Sequence, residues 1–458
     1  MTLITHHIVQ AVFLPMFKAA QIAAKQWLTA ENITFAALCS IATMTVDTNM
    51  TDPYITAKGC YAVFAFFALV AVVCAKVIYG KPVKFDYWQL SAIFVGVCLT
   101  EAVAAMCIIK ARRHHALATL ALTTTAIALV IALYNLKPDS ANGRLLIWSA
   151  TLDMIAQKPL FGWGAGAFKA HYMDFQAAWL MRHPGSKAAM LAGNVPVAYN
   201  EYLNLLVCYG LAGLATCAAG AMWLIRSGYR KPSRSKTSAL LELLAIAVMS
   251  LSSYPLTYAL TWVAIGLSLV PFAKPYRFKS GFLVIAASCF AAIGMAATGA
   301  YIHAMHRWSE LSLSAPTQRV LRGYSELTPW LGSNPYFLYN HAVMLLDADH
   351  TEKALLVAEN CDKQWDDYDL ELLLADIHTA RPNAAAAIAH YHKAGLMCPS
   401  RFVPPYELMN AYTSIGDTVT AQHYAKIIAT KKIKIPTPAT HQIIAEAHAL
   451  LKTNTPDR

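Results

Sequence analysis

Charge is scarce in this chain. Aspartate, glutamate, lysine and arginine make up 14% of its 458 residues, against about 25% in ordinary soluble proteins, while hydrophobic residues reach 57%. That imbalance, taken over the whole chain, points to a membrane protein. Metal-ligand spacing is also lacking. None of the ten cysteines forms a C-x-x-C pair, and Cys39, Cys60, Cys74, Cys98, Cys107, Cys208, Cys217 and Cys289 lie in or beside apolar runs, where they read as small packing residues. No G-x-x-x-x-G-K-[ST] string supports nucleotide binding, and Gly162, Gly164 and Gly166 read as turn makers. The first apolar stretch contains Lys18 and Lys25 and lacks the basic-then-apolar order of a cleavable signal. A net charge of +11 does not point to nucleic acid, because the basic residues sit in short clusters between apolar runs, as the positive-inside rule places them. His114 and His115, beside Arg112 and Arg113, read as a membrane-edge cluster. No metal and no cofactor are expected.

Long apolar runs are what the chain does have. Residues 58–80, 86–109 and 114–135 are long enough to cross a bilayer, and further runs follow at 201–225, 238–254, 255–272 and 280–305. Seven spans are expected, and eight or nine if residues 1–30, which also read as an interfacial helix, and 33–46 cross as well. Arg226, Arg230, Lys231, Arg234 and Lys236 fall in one short connection and Lys274, Arg277 and Lys279 in another, so both are expected inside. Counting from there places residues 136–200 and everything after 305 outside. It leaves Lys76, Lys81 and Lys84 outside too, a conflict confined to the N-terminal crossings.

From about residue 306 the chain turns polar and helical. Ala342 and Ala354 are twelve apart, as are Ala375 and Ala387, in a repeat of about 33–36 residues; small residues at that spacing let paired helices approach closely, and the period matches tetratricopeptide repeats. Tyr412, Gly416 and Ala421 keep part of the register in a third repeat, and residues 435–452 read as a closing helix. The expected architecture is therefore all-α. Transmembrane helices over 1–135 and 201–305 flank a large outer loop at 136–200, and a soluble tetratricopeptide-like α-solenoid occupies 306–458.

The outer loop carries the chemistry-bearing motifs. It opens with GRLLIWSATLDMIAQKPLFGWGAGAF from Gly143 and closes with AYNEYLNLLVCYGLAGL from Ala198. Arg144 stands at the outer end of an apolar run, where its planar, permanently charged fork suits phosphate oxygens or lipid headgroups. Arg182 and His183 in WLMRHPGS read equally as substrate contacts or as a solvated pair. Asn200 and Glu201 fit a helix start, Asn as cap and Glu in the first turn, and the same residues can also serve catalysis.

This order of motifs resembles the O-antigen ligase and polymerase family, most closely the Bacteroidetes-type forms with C-terminal tetratricopeptide repeats. The resemblance is closest over residues 136–272. It implies a multi-pass bacterial inner-membrane glycosyltransferase with loop and repeats in the periplasm. The donor would be an undecaprenyl-pyrophosphate-linked glycan and the acceptor a lipid A core, a growing polysaccharide or a protein hydroxyl, with a partner protein on the repeat groove. It also implies that Arg144 binds pyrophosphate. Many family members carry a histidine before Asn-Glu to assist the acceptor proton, and here that position is Tyr199, whose ordinary pKa near 10 makes a poor base. Either Tyr199 only positions substrate, or Glu201 or His183 takes the proton, or the protein is impaired. Trp163, Tyr172 and Trp179 are candidates to stack on sugar rings. A further family feature, a Ser-Arg pair on an earlier outer segment, is missing where LTEAVAAM near residue 100 runs into the 114–135 span. The competing expectation is accordingly a non-catalytic, membrane-anchored repeat scaffold.

Overall fold

Local sequence explains where each helix starts and stops. A computed structural model describes residues 138–273 and 281–453, and among these every regular element is helical. The N-terminal crossings, the 1–30 segment and the missing Ser-Arg region lie outside the described residues. Helix α1 (Pro138–Gln157) opens with proline at its first position and Asp139 in its first turn, and buries Leu146, Ile147, Ala150, Thr151 and Met154 along one stripe. Lys158-Pro159 ends it. Helix α2 (Ala167–Arg182) starts after Gly166, whose φ of 77° suits glycine, and buries Phe168, Tyr172, Met173, Gln176 and Leu180. A single turn, α3 (Ala188–Leu191), leads to α4 (Glu201–Arg230).

Helix α4 is broken at Gly210, where φ is 60° and ψ −160°. The break is filled by the turn that joins α1 to α2. Trp163 N–H donates to Val207 O at 2.8 Å and Gly164 N–H to Cys208 O at 2.9 Å, while Leu211 N–H reaches Pro159 O and Ala212 N–H reaches Leu160 O at 2.9 and 3.0 Å. The two carbonyls and two amides that an unbroken helix would pair with each other are thus paired with the turn.

After α4 come α5 (Arg234–Met249), α6 (Ala259–Leu269) and α7 (Gly281–Ser312). Two described helices are long and apolar enough to cross a membrane, within Glu201–Arg230 and Val284–Ser312. The expected spans at 238–254 and 255–272 appear as shorter helices of 16 and 11 residues, because Ser250–Tyr254 forms a turn and 3₁₀ segments with prolines at 255 and 271 flank α6. Residues 219–250 and 255–310 belong to one compact unit. Within it Ile285, Phe290, Ile293, Met222 and Trp223 are exposed, as lipid-facing residues are.

A second unit joins residues 138–218 with 251–254 and those from 311 onward. After α8 (Gln318–Leu331), its C-terminal part contains three helix pairs, α9/α10 (Pro335–Asp347, Thr351–Asp362), α11/α12 (Tyr368–Ala380, Ala384–Met397) and α13/α14 (Val403–Ser414, Thr418–Thr430), then α15 (Pro438–Thr453). The pairs begin 33 and then 35 residues apart. Asn383 and Asp417 cap the second members of two pairs with side-chain oxygens. Ala342, Ala354, Ala375 and Ala387 are all buried, as the twelve-residue spacing predicts.

The loop and these helix pairs share one core. Ile147, Met154, Phe168, Tyr172 and Met173 pack with Tyr368, Ala394, Met397 and Cys398. Gln176, fully buried, takes a hydrogen bond from the Tyr172 hydroxyl and donates to Gly193 O at 3.0 Å and Met397 O at 2.9 Å. Beside it, Lys393 Nζ lies 2.7 Å from Glu371, 3.0 Å from Asp174 and 3.6 Å from Asp366. Burial would raise the Glu371 carboxyl, but the His390 hydrogen bond and the Lys393 charge outweigh it and hold that carboxyl below its ordinary range.

Asp366 behaves oppositely. Burial, reinforced by the Asp174 charge and opposed by Lys393, pushes its carboxyl up to about 7. A carboxyl that holds its proton more tightly when folded favours the folded state at low pH, and that contribution is lost as pH rises from the unfolded value of about 4 through about 7. Asp366→Asn is therefore expected to unfold at a higher temperature than wild type at about pH 8, and at a similar temperature at about pH 3.5, below the unfolded value. Thermal unfolding in detergent at both values checks this; a difference independent of pH would dismiss Asp366 titration as its cause.

Candidate functional site

The two ends of the loop meet. Arg144, on the first turns of α1, places its guanidinium 5.4 Å from the ring centre of Tyr199 and donates from Nη1 to Ser252 O at 2.6 Å. Asn200 donates from Nδ2 to Leu251 O at 3.0 Å and accepts the Tyr202 and Leu203 amides at 2.9 and 3.1 Å, capping α4. Motifs 55 residues apart are thus bridged by two carbonyls of the 251–254 turn.

Tyr199 adopts φ 51°, in the left-handed region that costs a non-glycine residue roughly 1–2 kcal/mol. Its neighbours hold it there. Trp148 Nε1 donates to Ala198 O at 3.1 Å, Asn200 is fixed at the helix cap, and Tyr254 packs edge-on against the Tyr199 ring at 5.4 Å. Glu201 is buried in the first turn of α4, with Asn204 Nδ2 at 3.5 Å from its carboxylate.

This corner offers an anion a fixed cation. Among the described residues one Arg144 donor is engaged by Ser252, so most of the five donors of its fork remain for phosphate oxygens. Arg182 is placed differently. It ends α2 in an ion pair with Asp153, nine residues along α1 from Arg144 and so about 13 Å away along the helix axis. His183 stacks on Trp179 at 4.0 Å, and its Nδ1 donates to Trp179 O at 2.8 Å.

Two of the expected sugar-stacking residues serve packing. Tyr172 is 1% exposed, stacked on Phe168, with its hydroxyl on Gln176, so it presents no face to a sugar. Trp163 donates to Met154 O at 2.9 Å, meets Phe175 edge-on, and carries the Lys158 ammonium over its ring at 3.8 Å. The expectation that a sugar stacks on Tyr172 arose from its place in an outer loop; Tyr172 does otherwise because α2 packs between α1 and the C-terminal helix pairs. Leu251 and Ser252 were missed by residue-type reasoning because a backbone acceptor carries no side-chain signature; the SSYP turn between two apolar runs was the available signal.

An O-antigen ligase family model matches residues 54–218, which include α1, α2, Tyr199 and the start of α4. No curated protein and no solved structure matches the chain.

Proposed function

We propose that this member of the O-antigen ligase family transfers a glycan from undecaprenyl pyrophosphate to an acceptor hydroxyl, with Arg144 binding the pyrophosphate. The observation carrying this reading is the meeting of Arg144 with the Tyr199–Asn200 segment. Breaking the sugar–phosphate bond places charge on the leaving pyrophosphate, and a fixed guanidinium stabilises that charge without reorganising. Glu201, next in sequence to the cap, takes the acceptor proton, and Tyr199 positions substrate. The family is a membrane family with lipid-linked donor and acceptor substrates. Our reading sets the loop and the C-terminal helices in the periplasm, and treats the paired helices as tetratricopeptide repeats whose groove receives an acceptor protein.

Membranes of a ligase-deficient strain expressing the protein test this directly. Wild type is expected to transfer glycan, and Arg144→Ala to lower transfer about 10- to 100-fold, the loss of one charge-assisted contact worth about 1.5–3 kcal/mol. Arg182→Ala breaks an exposed ion pair and is expected to stay within about threefold of wild type. No transfer by wild type would favour the scaffold reading, which Tyr199 at the histidine position supports. Full activity of Arg144→Ala would remove the role given to that arginine.

A further inference from the structure

The turn between α1 and α2 points apolar side chains outward and cannot fold them away. Leu160 is 61% and Phe161 78% exposed, and across the junction Tyr209 and Leu211 are 50% and 52% exposed. Four backbone hydrogen bonds pin the turn to the break in α4, and glycines at 162 and 210 let the two backbones touch. The broken helix α4 is, over Glu201–Arg230, apolar and long enough to cross a membrane, and the exposed Tyr209 and Leu211 lie on it at the junction with the turn.

The backbone pairing meets the requirement that a membrane sets. Water would satisfy a broken helix at no structural expense, whereas non-helical backbone at membrane depth persists only where protein pairs its amides and carbonyls. Here the freed groups at 207, 208, 211 and 212 are each paired with the turn. Lys158 lies over the Trp163 ring at the root of the turn, a cationic and aromatic pairing typical of the water–lipid boundary.

We propose that Leu160 and Phe161 sit in the acyl chains of the bilayer, so that the 158–163 turn dips into the membrane and sets the height at which α1, α2 and the Arg144–Tyr199 corner are held. The wedge does not depend on the transferase reading, and a scaffold would be anchored in the same way.

Cysteine accessibility tests it on the full-length protein. Phe161→Cys, Leu160→Cys and, as an exposed reference in the same loop, Lys187→Cys are reconstituted into phospholipid vesicles and treated with a bulky water-soluble maleimide that adds countable mass on a gel. The reference thiol is expected to label at least about ten times faster than either turn thiol, because a thiolate must meet water to react, and all three to label alike in SDS. Comparable labelling of the turn and the reference in vesicles would overturn the proposal. Protection in native membranes but not in vesicles would also overturn it, by assigning the surface to a partner protein.

Discussion

Gly162→Ala is expected to unseat the junction between the loop and α4. A Cβ at this position would lie 2.5 Å from Val207 O and 2.6 Å from both Cys208 C and Tyr209 N, all backbone atoms that cannot rotate aside. The φ of 71° adds roughly 1–2 kcal/mol for any residue with a side chain. Relieving the clash means separating two backbones joined by four hydrogen bonds, each worth about 1 kcal/mol net. The expected loss is about 4–6 kcal/mol, a large part of a typical total stability of about 5–15 kcal/mol. It should appear as a fall of more than about 10 °C in the unfolding midpoint and as new protease cleavage near residues 158–164. Gly210→Ala meets Leu160 and Phe161 backbone at 2.4–2.7 Å, and should fail in the same way, without adding to the first because both open one junction. Gly164 supplies the contrast: its φ is 104° but nothing lies within 4 Å, so Gly164→Ala should cost only about 1–2 kcal/mol. A Gly162→Ala midpoint within about 2 °C of wild type would show that the backbones are not in contact.

Gln176→Leu is expected to loosen the loop from the C-terminal helices. Leucine fits the volume but leaves Gly193 O, Met397 O and the Tyr172 hydroxyl buried without their partner. At about 1–3 kcal/mol for each orphaned group, softened by relaxation, the loss should be about 3–5 kcal/mol. Its signature is directional. The bonds tie α2 to the segment before Tyr199 and to the end of α12, so limited proteolysis should release the C-terminal helices as a fragment before the apolar helices are cut. Unchanged proteolysis and an unchanged midpoint would show that apolar packing alone holds the two together.

The sequence carried the helices better than their arrangement. Alanines twelve apart in a 33–36-residue repeat located the hairpins that close at 348–350 and 381–383, and Tyr412, Gly416 and Ala421 the one at 415–417, because small buried residues and polar caps are local signals. Asn200 was legible as a cap for the same reason, and it is one. The shortened α5 and α6 were less legible, since hydropathy reports apolar length and not where serines and prolines stop a helix.

For the 136–200 loop and the helices around it, sequence by itself determined the membrane class, the family resemblance, the Gly-Arg start and the Asn-Glu end. Composition and local motifs specify these, and no distant partner is needed. Tertiary structure decided which candidates meet. It set Arg144 over Tyr199, drew Arg182 to Asp153, sank Tyr172 into the core and filled the α4 break with the 158–164 turn. The physical reason is common to all four. Each depends on groups brought together from distant positions, where pairing and burial are settled only once the helices pack.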